Sequence, residues 1–278
     1  MRTRHLCVSS VVGVALLALA GSASAAPTLA SHSTNPASVA PNATVTLNAT
    51  CPTGTLNVGG GFEGDGSFVV YKSVKYDSGS THGWQIQAKN ITSGYGTIYG
   101  WVNCMSGAPS KAAVTTVTAS KATVANKGTG SSTATCSSGV IIGGGFVTDL
   151  GSGATPVMVI YLDGRPSAGS SSWRASAYNT TGASKSVTAY AYCLTNYSGA
   201  SSVQNSAPLQ PEGMAEAGCS SPSIAVGGGY SISRTVGNVP IQMLNESSNV
   251  YDCDMNYTLN TGDPDPNSLS YAECLTAP

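Results

Sequence analysis

The sequence predicts an all-β fold built from three copies of one unit, and three observations carry that prediction. Its alphabet is wrong for helices. Only 9% of the 278 residues are charged, against a typical ~25%, while 33 glycines, 14 prolines and 13 tyrosines sit among abundant Ser, Thr, Val and Ala. Short apolar-polar alternations bounded by Gly, Ser, Asn and Pro recur along the chain, and no window sustains a helical period with caps. Finally, Cys51-PTGTLNV-GGGF is echoed by Cys136-SSGVII-GGGF and by Cys219-SSPSIAV-GGGY, at intervals of roughly 80 residues.

The chain begins with an address. Arg2 and Arg4, an apolar run from Val11 to Ala20 and the small triplet Ala23-Ser24-Ala25 have the layout of a secretory signal peptide over residues 1–25, of bacterial type. The run is shorter than the ~20 residues that span a bilayer, and nothing later approaches that length, so membrane insertion is not expected. Cleavage would leave a secreted, extracellular chain from Ala26, and would remove Cys7. The seven cysteines left suit an oxidising compartment. The bacterial look of the signal gives little weight to the sequons at Asn42, Asn48, Asn90, Asn179, Asn196, Asn245 and Asn256. A net charge of −1, with no run of Lys or Arg, excludes nucleic acid as a partner.

Each copy closes on a second cysteine about 55 residues after its opener: Cys104 in GWVNC, Cys193 in YAYC, Cys274 in YAEC. The copies cover residues 26–108, 109–197 and 198–278, and the natural disulfides are Cys51–Cys104, Cys136–Cys193 and Cys219–Cys274. Each would contribute on the order of 4 kcal/mol by restricting the unfolded chain, which a unit of this size and modest apolar content needs. Strands are expected at Val45–Ala49, Leu56–Phe62, Phe68–Val74, Trp84–Ala88 and Thr97–Val102 in the first copy, and at Val140–Phe146, Val157–Leu162, Trp173–Tyr178 and Ser186–Tyr192 in the second. The glycine triplets Gly59–Gly61, Gly143–Gly145 and Gly227–Gly229 do not read as phosphate cradles. An aromatic residue and more strand follow each of them, where a phosphate loop needs a helix N-terminus. Glycine inside a strand marks a bulge, a bend or a close backbone approach.

Alternation places Trp101, Tyr190 and Tyr271, three residues before the closing cysteines, on the face opposite the disulfides. Two readings compete: these aromatics pack between copies around a pseudo-threefold axis, or they lie exposed with Tyr99 and Tyr192 and stack on sugar rings. Trp84 and Trp173 begin matching strands and belong in the core. In the third copy, aligning Asn256-Tyr-Thr with Asn90-Ile-Thr and Asn179-Thr-Thr would turn Asp252 and Asp254 inward, at prohibitive cost. The strand phase that points Tyr251, Cys253 and Met255 inward is preferred. It explains the odd cysteine, because Cys253 becomes a free core thiol in the slot of Ile86 and Ala175.

Chemistry is thin elsewhere. His32 and His82 are the mature chain's histidines, the repeated positions carry no acid or base, and Glu63, Asp65, Asp77 and Asp149 are scattered. No catalytic residue and no cofactor is expected, and the balance is against an enzyme. Asp263, Asp265 and Asn267 alternate oxygen donors as calcium loops begin, but Ser268 and Cys274 stand where an EF-hand has Gly and Glu, so a solvated acidic turn is the simpler reading.

The combination of Cys-x-x-Gly, Gly-Gly-Gly-aromatic, a strand Trp with Asn six residues later, and an aromatic strand ending in Cys resembles a broad group of uncharacterised secreted bacterial proteins. The likeness spans nearly the whole mature chain and weakens in the third copy, where Ser221-Pro222 replaces the turn glycine and the tryptophan is missing. At the fold level it is similar to β-prism proteins of the vitelline membrane outer-layer and lectin types. The resemblance implies a pseudo-threefold set of Greek-key-like sheets, with three tandem β-sandwiches as the alternative. The expected function is a non-enzymatic binding or structural protein of the cell surface or extracellular space that contacts polysaccharide or cell-wall glycan. A secreted hydrolase or protein inhibitor is the alternative.

Overall fold

The computed structural model describes residues 26–65, 68–150, 158–208, 214–233, 235–236, 239–240, 245–248, 252–256 and 267–278. The signal segment, Asp263 and Asp265 lie outside the described residues. Among those described, every regular element is a strand. The first copy forms β1 (Thr28–Ser33), β2 (Ala37–Val39), β3 (Thr44–Thr50), β4 (Leu56–Gly64), β5 (Phe68–Ser78), β6 (Thr81–Asn90) and β7 (Gly96–Ser106). The second forms β8 (Ala113–Thr118), β9 (Ala122–Val124), β10 (Thr129–Thr135), β11 (Val140–Thr148), β12 (Met158–Gly164), β13 (Ser172–Asn179) and β14 (Lys185–Thr195). The third contributes β15 (Ser201–Pro208), β16 (Met214–Gly218), β17 (Ile224–Ser231), β18 (Thr235–Val236), β19 (Val239–Pro240), β20 (Asn245–Ser248), β21 (Asp252–Asn256) and β22 (Leu269–Thr276).

Three antiparallel sheets result, and a small β18-β19 hairpin stands apart from them. Their orders are β1-β7-β4-β20-β21-β16 with β2 beside β7, β3-β6-β5-β11-β14-β8 with β9 beside β14, and β10-β13-β12-β17-β22-β15. Each sheet therefore combines strands of two copies, four with three in the two seven-stranded sheets and three with three in the six-stranded one, and the third copy returns to the first. Self-contained sandwiches in tandem would not share sheets in this way. The disulfides Cys51–Cys104, Cys136–Cys193 and Cys219–Cys274 form within copies, with Cα separations of 5.6, 5.8 and 5.4 Å.

The glycine triplets lie in β4, β11 and β17, and each position within a triplet meets a different neighbour. At the first, the ladder slips between Asn57 and Gly59, Ile141 and Gly143, and Ala225 and Gly227. Val58, Ile142 and Val226 are the extra, buried residues of these bulges. The three strands touch there. A Cβ on Gly59 would overlap Val226 O and lie 2.9 Å from Gly227 Cα, and one on Gly227 would lie 2.5 Å from Ile142 O. The second glycines, Gly60 and Gly144, lie against the indoles of Trp84 and Trp173, where a Cβ would collide with the rings. The third, Gly145 and Gly229, abut the carbonyls of Ser73 and Asp163, where strands of two copies join.

Both tryptophans are buried, as their strand phase predicts: Trp84 shares a core cluster with Ile86, and Trp173 packs with Ala134, Ile141, Ala191 and the Cys136–Cys193 disulfide. Trp84 Nε1 donates to Ser73 Oγ at 3.0 Å, and Trp173 Nε1 donates to Asp163 Oδ1. Two of the sequons prove to be structural knots. Asn90 is fully buried, donates to Val39 O and Gly94 O, and accepts from Thr92 N and Oγ1. Asn179 repeats the pattern with Val124 O, Ala183 O and Thr181.

The third copy corrects one expectation. Cys253 pairs with Ala217, two residues before the opening cysteine, as Trp84 pairs with Ala49 and Trp173 with Ala134. It thus takes the tryptophan position, and Met255, opposite Ala215, takes that of Ile86 and Ala175. Asn256 is then not the counterpart of Asn90 and Asn179, because only three residues separate it from the tryptophan slot.

Gly59→Ala is expected to cost at least about 2–3 kcal/mol, because a backbone carbonyl is the obstacle. Gly94→Ala, with open space around the added methyl, should stay within about 0.5–1 kcal/mol of the parent in urea denaturation.

Candidate functional site

The predicted aromatics separate into two groups. Trp101, Tyr190 and Tyr271 are half-buried, each opposite the third glycine of a triplet: Gly61, Gly145 and Gly229. Tyr99, also half-buried, meets Trp101 edge to face, with ring centroids 5.6 Å apart at 70°. Burial, followed by a hydrogen bond to Glu63 on β4, pushes the Tyr99 hydroxyl up to about 12. Trp101 Nε1 is buried and has no hydrogen-bond partner.

Tyr192 belongs to the second group, and its expected exposure is corrected. Only 1% of it is accessible, its hydroxyl accepts a hydrogen bond from Lys75 N at 2.7 Å, and its ring meets Trp84 edge to face at 5.3 Å. It offers no surface to a ligand. The physical reason is its place immediately before the closing cysteine. Asn103 and Glu273 occupy that place in the other copies and are equally buried, since the position points into the junction between neighbouring copies. Among the candidate calcium donors, Asn267 is an exposed turn residue, and no three metal-ligating side chains cluster among the described residues.

The junctions share one frame. Ser73 and Asp163 receive the indole N–H of their own copy and pair with the next copy's Phe146 and Tyr230. Counting onward, Lys75 corresponds to Arg165 and Asp77 to Ser167. His82 corresponds to Ser171, since their carbonyls accept from Cys51 N and Cys136 N.

Between the second and third copies the junction is closed. Arg165 Nε donates to Glu273 Oε1 at 3.0 Å and Nη2 donates to Oε2, with 3% and 0% of the two side chains exposed. Arg165 also donates to Ser170 O, Ile141 O and Ser202 Oγ, while Gln204 Nε2 donates to Glu273 Oε1 at 2.8 Å. Burial raises the Glu273 carboxyl, and the Arg165 charge opposes it. Asp163 lacks such compensation. It is 1% exposed, Oδ2 has no partner, and desolvation, opposed by the Trp173 hydrogen bond, raises its pKa to about 7.

Between the first and second copies the junction is open. Tyr192 stands in place of Glu273, and the Lys75 side chain donates to Asp77 Oδ2, while His82 Nδ1 lies 2.6 Å from Asp77 Oδ1. Burial pushes the Asp77 carboxyl up, and its hydrogen bonds and charges from Lys75 and His82 outweigh that and hold it below the ordinary value. These side chains edge a cleft of about 250 Å³, completed by Thr55, Leu56 and Asn57 of the β4 end and by Ala112, Ala113 and Val114 at β8. In the sequence Asp77 stands among scattered carboxylates and His82 is an unrepeated histidine. The signal was the two-residue turn Gly79-Ser80, which pairs Asp77 with His82 across the hairpin.

No family model matches this chain, and a search of curated proteins finds no match either.

A folded-state pKa raised from 3.8 toward 7 means that native Asp163 keeps a proton the unfolded chain has released. Stability therefore falls as pH rises through that window and levels off above it. Asp163→Ser, which copies Ser73, should gain Tm over the parent progressively across the window, then hold a constant lead. Arg165→Ala should cost about 3–5 kcal/mol by stranding Glu273, and Arg165→Ala/Glu273→Gln should recover part of it in the same denaturation assay.

Proposed function

We propose that this chain is a secreted bacterial binding protein of the cell surface or extracellular space, non-enzymatic and β-prism-like, that contacts polysaccharide or cell-wall glycan. The three disulfides fit an oxidising compartment, and no helix among the described residues is long and apolar enough to cross a membrane. The observation that carries the reading is the Tyr99–Trp101 pair. Two half-buried rings in a charge-poor chain present apolar faces for the C–H side of a sugar. Glu63, opposite Tyr99, and Ser33, opposite Trp101, add polar groups beside the rings. Tyr190 and Tyr271 hold corresponding positions in the other copies, so weak contacts would add through avidity.

Retention on insoluble polysaccharide and wall fractions tests this. Tyr99→Ala and Trp101→Ala should each cut retention severalfold, and Tyr190→Ala or Tyr271→Ala less. Failure of the parent protein to bind any glycan or wall fraction removes the reading.

A further inference from the structure

We propose that the cleft between the first and second copies is a binding site for one neutral, polyhydroxylated ring of pyranose size, distinct from the aromatic face. The inference deepens the glycan reading and rests on it for the ligand class, but its residues and its test are separate.

The comparison between junctions carries the argument. In the closed junction the protein supplies its own occupant. Arg165 turns inward to Glu273, and Ser202 and Gln204 complete its hydrogen bonds. In the open one, Val114 and Thr116 replace Ser202 and Gln204, and Tyr192 replaces Glu273. Lys75 has no buried carboxylate to reach, so it joins Asp77 and His82 at the rim, and space is left beside them. Neither Asp77 nor His82 is matched in the second copy, which has Ser167 and Ser171, so the charged rim belongs to this junction alone of the two.

A second observation points to a ligand. Asn57 lines the cleft, is 2% exposed, and donates from Nδ2 to Gly83 O, yet its Oδ1 has no partner. A buried amide oxygen without a donor costs free energy; the atom itself has almost no accessible surface, so an occupant bearing an O–H or N–H removes that cost by drawing the amide toward the cleft. The remaining walls define the occupant. Lys75 and Asp77 cancel in charge, which favours a neutral molecule. Their unused hydrogen-bonding capacity, an ammonium beside a carboxylate, suits adjacent hydroxyls that both donate and accept. Leu56, Ala113 and Val114 give an aliphatic wall for the C–H face, and about 250 Å³ holds one ring and no more.

Ligand-observed NMR with the full mature chain tests the site, using glucose, galactose, mannose, xylose and N-acetylglucosamine, with glucuronate and glucosamine as charged probes. Saturable binding of at least one neutral sugar in the millimolar range is expected. Asp77→Ala, at an exposed rim residue, should weaken it at least about tenfold, and Ala113→Trp should abolish it by filling the space. Trp101→Ala should leave it unchanged while reducing retention on polysaccharide. The site is overturned if no neutral sugar binds, if only the charged probes bind, or if binding survives both Asp77→Ala and Ala113→Trp. Loss of polysaccharide retention in Trp101→Ala alone, with the cleft silent, would sink the cleft and leave the aromatic face standing.

Discussion

The contact on which the rest of the structure depends is the meeting of three backbone strands with no side chain between them. Gly59 lies against Val226 and Gly227 of the third copy, Gly227 against Ile142 and Gly143 of the second, and Gly143 faces Val58 and Gly227. Backbones can come this close only where a Cβ is missing. The bulge that accompanies each first glycine turns the extra residue, Val58, Ile142 or Val226, into the core. From that contact follow the burial of the indoles against Gly60 and Gly144 and the joining of strands from different copies at Gly145 and Gly229. Glycine, which usually weakens a strand, is here what allows three copies to share one interior.

Sharing has an energetic consequence. Sheets assembled from two copies place one copy's hairpin beside the next copy's triplet strand, and this creates junctions whose side chains must be satisfied across copies. The frame is constant and the chemistry diverges. Tyr192, Asn103 and Glu273 hold one position and find a backbone amide, the carbonyl of Val226 and the guanidinium of Arg165, respectively. A buried ion pair contributes little net stability over an apolar equivalent, so the Arg165–Glu273 pair is better understood as fixing which strands meet. At the first junction a phenol satisfies the same position without a charge, and the Lys75 ammonium, on a side chain only 8% exposed, pairs instead with the half-exposed Asp77.

Much of this was legible in the sequence because it is periodic. The cysteine spacing predicted the disulfides, the triplets predicted close approach, and alternation placed Trp84 and Trp173 inside. Strands outside those expectations include β1, β8, β10 and β15, whose Ser, Thr and Ala residues carry little apolar alternation because they lie at sheet edges and bury few side chains. Sharing of sheets between copies was illegible for another reason: pairing partners across copies lie far apart in sequence and leave no local mark. Tyr192 was misplaced because alternation gives a residue's face but not what covers that face, and what covers it belongs to the neighbouring copy. Cys253 was displaced by one pair because Asn256 mimics the Asn-x-Thr knot of the other copies without sharing its register.

Repetition also separates architecture from function in this chain. Whatever recurs in every copy, the triplets, the disulfides, the residue before the closing cysteine, has a structural role that the geometry accounts for. Function is to be sought where copies differ without a structural reason. Asp163 against Ser73 is such a difference inside the core, and there the change costs stability as pH rises. Asp77 and His82, each about half exposed, against Ser167 and Ser171 is the corresponding difference at the surface. A charged rim costs little where water reaches it, so selection by a ligand can act there without competing against the fold. That asymmetry of cost is why the open junction, and not the closed one, is where a binding site would be kept.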